Sequence, residues 1–231
     1  MKKLIFALLL TAGLCLTAAA QDSIVDVSKI PETVDRVEQF APKGWKLEEA
    51  VKGDLNGDGT ADYAVKIVED KPQVKDEAVD ANRVLILALS EGGKLHRAAV
   101  ADKLLQCTTC GGAFYGAMEA PADIKIDKGV LIIDQEAGSR ELTQTIYRFR
   151  YDEQPSMFIL IGFDYISRDR ANGDSWNEST NYITGKRVTT IGKKGKAGVP
   201  KTTVVSKMRY SISEVNDKDL PAETTHRLGL D

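Results

Sequence analysis

The chain has 231 residues, with 31 Lys and Arg against 34 Asp and Glu and a net charge of −3. Such a length buries roughly 70% of its unfolded surface and fits one domain or a tight pair. The acidic balance argues against a nucleic-acid binder, and no apolar run reaches the ~20 residues that a membrane helix needs.

Residues 1–20, MKKLIFALLLTAGLCLTAAA, read as a cleaved leader. Lys2 and Lys3 precede an apolar run from Leu4, and Ala18-Ala19-Ala20 supplies a small-residue cleavage site. The product is expected to start at Gln21 and to be periplasmic or secreted, with 29 basic groups against 34 acidic. Cys15 lies in this leader behind Leu14, too bulky for a lipid-attachment signal. That leaves Cys107 and Cys110, an even pair which an oxidising compartment joins as a disulfide.

Pro31 opens Glu32–Phe40, where Val34, Val37 and Phe40 recur every three residues; the spacing predicts a short N-terminal amphipathic helix, capped near Ser28 and stopped by Pro42. Strand signals follow. Leu47–Val51 and Tyr63–Ile67 flank an acidic loop, and Glu69–Asp80 is a charged surface loop. Arg83–Leu89 is a continuous apolar run, expected of a strand covered on both faces. Leu95–Val100, Ile124–Ile126, Val130–Ile133, Thr143–Tyr151, Met157–Ile161, Asn181–Thr184, Arg187–Ile191 and Thr202–Ile212 continue the series at near ten-residue spacing. The expectation is a single mainly β domain over residues 21–231. It is an antiparallel meander, sandwich or barrel-like sheet of about ten strands, without repeats or alternating βα units.

The segment Gly53-Asp54-Leu55-Asn56-Gly57-Asp58-Gly59-Thr60-Ala61-Asp62 is the most specific feature. Oxygen-bearing side chains stand at loop positions one, three, five and nine, with glycine at six. Hard Ca²⁺ takes six to eight oxygens at about 2.3–2.6 Å. Asp54, Asn56 and Asp58 would ligate through side chains, Thr60 through its carbonyl, and Asp62 directly or through water. Simple hairpin turns also use Asn-Gly and Asp-Gly, but turn chemistry does not call for Asp54 and Asp62. The pattern starts like an EF-hand, yet position twelve is Val65 instead of glutamate and the flanks are strand-like. On Asp54, Asn56, Asp58, Thr60 and Asp62 the segment resembles the FG-GAP/VCBS calcium loops of bacterial exported proteins and integrin α-chain propellers. The resemblance implies a Ca²⁺ loop at 53–62 and nothing more, since those propellers carry several copies and this chain has one.

Other chemistry is thinner. Cys107-Thr-Thr-Cys110 is followed by two glycines, which weaken any helix that would hold a reactive thiolate, and a zinc ribbon lacks its second pair. His96 and His226 come without a nucleophile motif. In Ser167–Glu178 the residues Arg168, Asp169, Arg170, Asp174 and Trp176 stand together as a possible ligand loop, against the alternative of an ordinary solvated loop. Lys186, Arg187, Lys193, Lys194, Lys196 and Lys201 form a basic cluster able to meet an anionic surface. The resulting expectation is a non-catalytic exported β domain with Ca²⁺ and a disulfide, binding an unknown protein or an envelope glycan. An envelope hydrolase using loop carboxylates and a thiol-redox protein are the alternatives.

Overall fold

The structure, a computed structural model, describes residues 23–72, 75 and 78–230. The expected leader lies outside them, as do residues 73, 74, 76 and 77 of the charged loop.

The chain is mainly β, in two antiparallel sheets. Strands β1 (Thr33–Val34), β2 (Trp45–Gly53), β3 (Asp62–Glu69), β4 (Arg83–Glu91) and β5 (Lys94–Ala101) form the smaller one, in the order β1-β5-β4-β3-β2. Strands β6 (Ala122–Asp127), β7 (Val130–Gly138), β8 (Glu141–Asp152), β9 (Met157–Asp169), β10 (Ser175–Asn181), β11 (Lys186–Gly192) and β12 (Lys201–Val204) follow one another as a seven-stranded meander. Neither sheet closes into a barrel.

Period-two alternation explains how the sheets stack. On β4, Leu85 and Leu87 face the larger sheet, where they join Leu131, Ile133, Tyr147, Phe149 and Phe163 in the main core. Val84, Ile86 and Ala88 point the other way and are covered by Val25, Ile30, Val34 and Phe40 from the N-terminal segment. The unbroken apolar run of β4 is thus buried on both faces, as its sequence anticipates.

That covering segment is not the expected N-terminal helix. Thr33 and Val34 pair with His96 and Leu95, and Val37–Phe40 is one 3-10 turn. A three-residue apolar spacing suits a 3-10 turn as well as a helix face. The Gln39 side chain accepts the amides of Asp35 and Arg36 at 3.0 and 2.9 Å, which ends the strand there. The α-helix α1 is C-terminal instead, Asp219–Leu228. Asn216 accepts the Lys218 and Asp219 amides at its start, and left-handed Gly229 closes its end. Leu220 and Thr224 are buried against the main core side, and Arg227 reaches Glu178 of β10 at 2.6 Å. The last strand also differs: β12 ends at Val204, short of the expected Ile212, which instead starts a 3-10 turn. No helix among the described residues is long and apolar enough to cross a membrane.

Candidate metal loop and the groups around it

The acidic loop closes the β2–β3 hairpin. Its ends are Gly53 and Asp62, paired in register. Gly53 sits where β2 approaches β6 closely, since a Cβ there would lie 2.7 Å from Ile126 Cγ2. Leu55 is buried in the main core and anchors the loop from beneath. Above it the chain turns on two glycines, Gly57 and Gly59, each at φ 83°.

Side-chain oxygens organise this turn from within. Asp54 accepts the Gly57 and Gly59 amides at 2.7 and 3.0 Å. Asp58 accepts the Thr60 amide at 2.6 Å and the Asn56 amide group at 2.9 Å. These bonds, the Asn56 one foremost, hold the Asp58 carboxyl below the usual carboxylate range. Asn56 in turn accepts the Asp58 amide at 3.0 Å. Asp62 faces inward and is fully buried. One of its oxygens takes the Leu55 amide and the other the Ser90 amide, both at 2.9 Å. Among the described residues no three His, Cys, Asp or Glu side chains converge as a metal-holding group. The exposed rim of the loop, Asp58 and Thr60, borders a cleft of about 720 Å³ that also takes in Lys52, Tyr63, Asp35 and Lys94.

The possible ligand loop is shorter than its sequence suggests, because β9 runs through Asp169 and β10 begins at Ser175. Register places Arg168 opposite Ser175 and Trp176 opposite Ser167, so Arg168 and Trp176 occupy opposite faces of the sheet. The remaining residues find their partners outside the segment. Arg140 grips Asp169 with two hydrogen bonds, at 3.1 and 2.7 Å, and holds its carboxyl down at about 2. Asp174 takes Lys193 at 2.8 Å, and the same ammonium lies 4.9 Å from the centre of the Trp176 ring. Arg170 stacks over Phe114. These five residues do not form one pocket.

Cys107 and Cys110 are joined as a disulfide. The bridge closes a turn in which the Cys110 amide returns to the Cys107 carbonyl at 3.1 Å. Thr108 is buried inside it. Its hydroxyl donates to the Val79 carbonyl and accepts the Ala81 amide, while its own carbonyl takes the Ala120 amide. The turn therefore ties the far side of the charged loop to the entry of β6. Cys107 opens a turn and not a helix, so no helix N-terminus faces its sulfur.

The chain matches no family model and no curated protein.

Two groupings lie outside every motif in the sequence. On the outer face of the larger sheet, Asp123 and Asp134 are direct cross-strand partners, with Glu136 one position further along that face. Burial first, then Asp123 and Glu136, push the Asp134 carboxyl up, against the hydrogen bond it receives from Gln144. Tyr115 donates to Glu136 at 2.6 Å; burial, and then Glu136, raise its phenol to about 12. Between the sheets, buried Arg83 and Lys66 share Glu48, at 2.9 and 3.5 Å. Arg83 also reaches the Ala120 carbonyl, and Lys66 the Ala122 carbonyl. Only pairing across strands unites either set, and their sequence spacing carries no signal of it.

Proposed function

We propose that the chain is a non-catalytic exported β domain that binds a protein or envelope glycan and uses Ca²⁺ to fix its β2–β3 hairpin. The observation that carries the calcium reading is the common origin of the oxygens. The carboxylates of Asp54 and Asp58, the Asn56 amide oxygen and the Thr60 carbonyl all belong to one tight turn whose base is already secured by Leu55 and Asp62. Those donors are the hard oxygens that Ca²⁺ prefers. Asp62 serves as the strut beneath the ion, since its side chain is fully buried and joins Leu55 to Ser90, while Asp54 and Asp58 keep access to solvent. The pairing of Asp169 with Arg140 and of Asp174 with Lys193 supports binding over catalysis, because the Asp169 carboxyl, held at about 2, is a poor proton donor at neutral pH.

The test is a melting series with millimolar Ca²⁺, Mg²⁺ or chelator. Calcium at ~100 times Kd adds about 2.7 kcal/mol and raises the melting temperature by several degrees. Mg²⁺ does less, as it demands shorter octahedral coordination. Asp58→Ala removes the shift and leaves the metal-free fold. Identical melts in calcium and chelator, with no calorimetric binding heat, defeat the metal reading.

One observation favours a second reading, hydrolase chemistry, and moves it away from the Arg168–Trp176 segment. Asp134, with its raised carboxyl, stands beside Asp123 and Glu136. A carboxyl pushed up beside other carboxylates is an arrangement used in general acid–base hydrolysis. Cleavage of an envelope glycan by the wild type and none by Asp134→Asn would place this reading first.

A further inference from the structure

The segment 179–213 contains eight of the chain's 31 Lys and Arg and none of its 34 Asp and Glu. It builds one boundary of the larger sheet, β11 and the edge strand β12. Three of these cations are matched, Arg187 to Glu178, Lys193 to Asp174 and Arg209 to Asp152. Lys186, Lys194, Lys196, Lys201 and Lys207 make no ion pair among the described residues.

The backbone of β12 is open as well. All four of its residues are exposed. The Val205 amide donates to the Gly185 carbonyl at 2.8 Å, which sets the phase of the ladder. Val205, Thr203 and Lys201 turn their amides to β11, so Thr202 and Val204 turn theirs outward. Val204 is 89% exposed, and Val199 in the preceding loop is 90% exposed.

We propose that β12 receives an acidic, extended segment of another polypeptide, which adds a strand to the larger sheet. The proposal rests on the reading of this chain as a binding domain and gives the partner's chemistry; it is independent of the calcium loop. Edge lysines by themselves serve to discourage sheet-to-sheet pairing. With the lysines that flank β12 they disfavour a second copy of this edge, because two basic boundaries would repel. They do not exclude, and in fact select, a strand carrying carboxylates. Outward amides at Thr202 and Val204 supply sequence-independent affinity, while the lysines and Val204 supply side-chain recognition. An anionic membrane would meet the same lysines but leave the outward amides unused.

The probe is a fluorescent peptide of about ten residues, alternating glutamate with valine and threonine. It is followed by anisotropy against the purified protein, with and without calcium, beside vesicles of phosphatidylglycerol and phosphatidylcholine. Saturable peptide binding that weakens with salt is expected under both calcium conditions, with slowed exchange of the Thr202 and Val204 amides. Thr202→Pro removes an outward N–H and spares the β11 ladder, so it should weaken binding at least about tenfold with melting unchanged. Should that variant misfold, the amide exchange of the wild type decides. No peptide binding overturns the proposal, whether or not vesicles bind. So does binding that leaves both amides unprotected, which would be charge attraction alone. Failure of the calcium reading would appear separately, as a missing melting shift beside intact peptide binding.

Discussion

The buried carboxylate of Asp62 accepts the Ser90 amide at 2.9 Å, while the Ser90 hydroxyl donates to the Ala61 carbonyl at 2.6 Å. This reciprocal pair ties the end of the acidic loop to the end of β4, and the second Asp62 oxygen holds Leu55 at 2.9 Å. Asp62→Ala strands two backbone donors in the interior. Each unsatisfied donor costs about 1–3 kcal/mol, so a loss of about 3 kcal/mol or more is expected, read by urea denaturation. Asp62→Asn keeps the shape but turns an NH₂ toward one amide, and should recover only part of the loss. A near-neutral Asp62→Ala would show that Asp62 is not the strut.

How much of this was legible depends on the residue. Strands β4 and β7 announce themselves through β-branched and alternating apolar runs, and Arg83–Leu89 even predicts its burial on two faces. What covers each face is a tertiary matter that no local pattern holds. Val34 and Phe40 are buried and Val37 packs beside them, but on a short strand and a 3-10 turn instead of a helix, because three-residue spacing fits several backbones. Helix α1 was missed for the opposite reason: the positions in its buried row are Leu220, Thr224 and Leu228, and the central threonine blurs the stripe. The acidic loop was visible as a loop. That Asp62 would face two amides, while Asp54 and Asp58 remain on the rim, depends on Ser90, 28 residues away.

Removing Arg83 from the junction between the sheets leaves Glu48 without its shortest partner and the Ala120 carbonyl without its donor. Breaking a buried pair from one side costs more than replacing it whole. Arg83→Ala is expected to destabilise by about 3–5 kcal/mol. Adding Glu48→Gln to that background should return part of it. A double-mutant cycle in denaturant measures the difference, and strict additivity would dissolve the network.

The Cys107–Cys110 ring should act as a structural pin. Thiol titration of the denatured, unreduced protein should find neither cysteine free. Cys107→Ser with Cys110→Ser should cost about 2 kcal/mol by loop entropy, and amide exchange should speed up at Ala81 and Ala120, which the turn holds. A fully active thiol–disulfide exchange with a dithiol substrate would instead favour the redox alternative.

Asp134 carries a carboxyl pushed up by burial and by Asp123 and Glu136. A folded-state acid raised above its unfolded value opposes folding when ionised, and protonation relieves it as pH falls. Asp134→Asn should therefore stabilise the protein at neutral pH, by a few tenths to about 1 kcal/mol given its partial exposure. The gain should vanish at the acid end of a melting series. A gain that persists unchanged there would have a cause other than charge.

Asp169 has the opposite sign. The two Arg140 hydrogen bonds come first among its causes, then the Ala171 amide, and its carboxyl sits at about 2 against an ordinary 3.8. Lowering the folded value means that the ionised carboxylate favours the fold. That contribution is complete above 3.8 and is lost as pH falls from there to about 2. Arg140→Ala should raise the Asp169 carboxyl toward its ordinary value and lower the melting temperature at pH 7. The gap between wild type and variant should hold steady down to about pH 4 and then close as both acids take up a proton. Carboxyl chemical shifts can follow Asp169 alone. A gap that stays open at pH 2 would mean that Arg140 acts through packing on the β7–β8 turn, and the charge-pair account of this loop would fail.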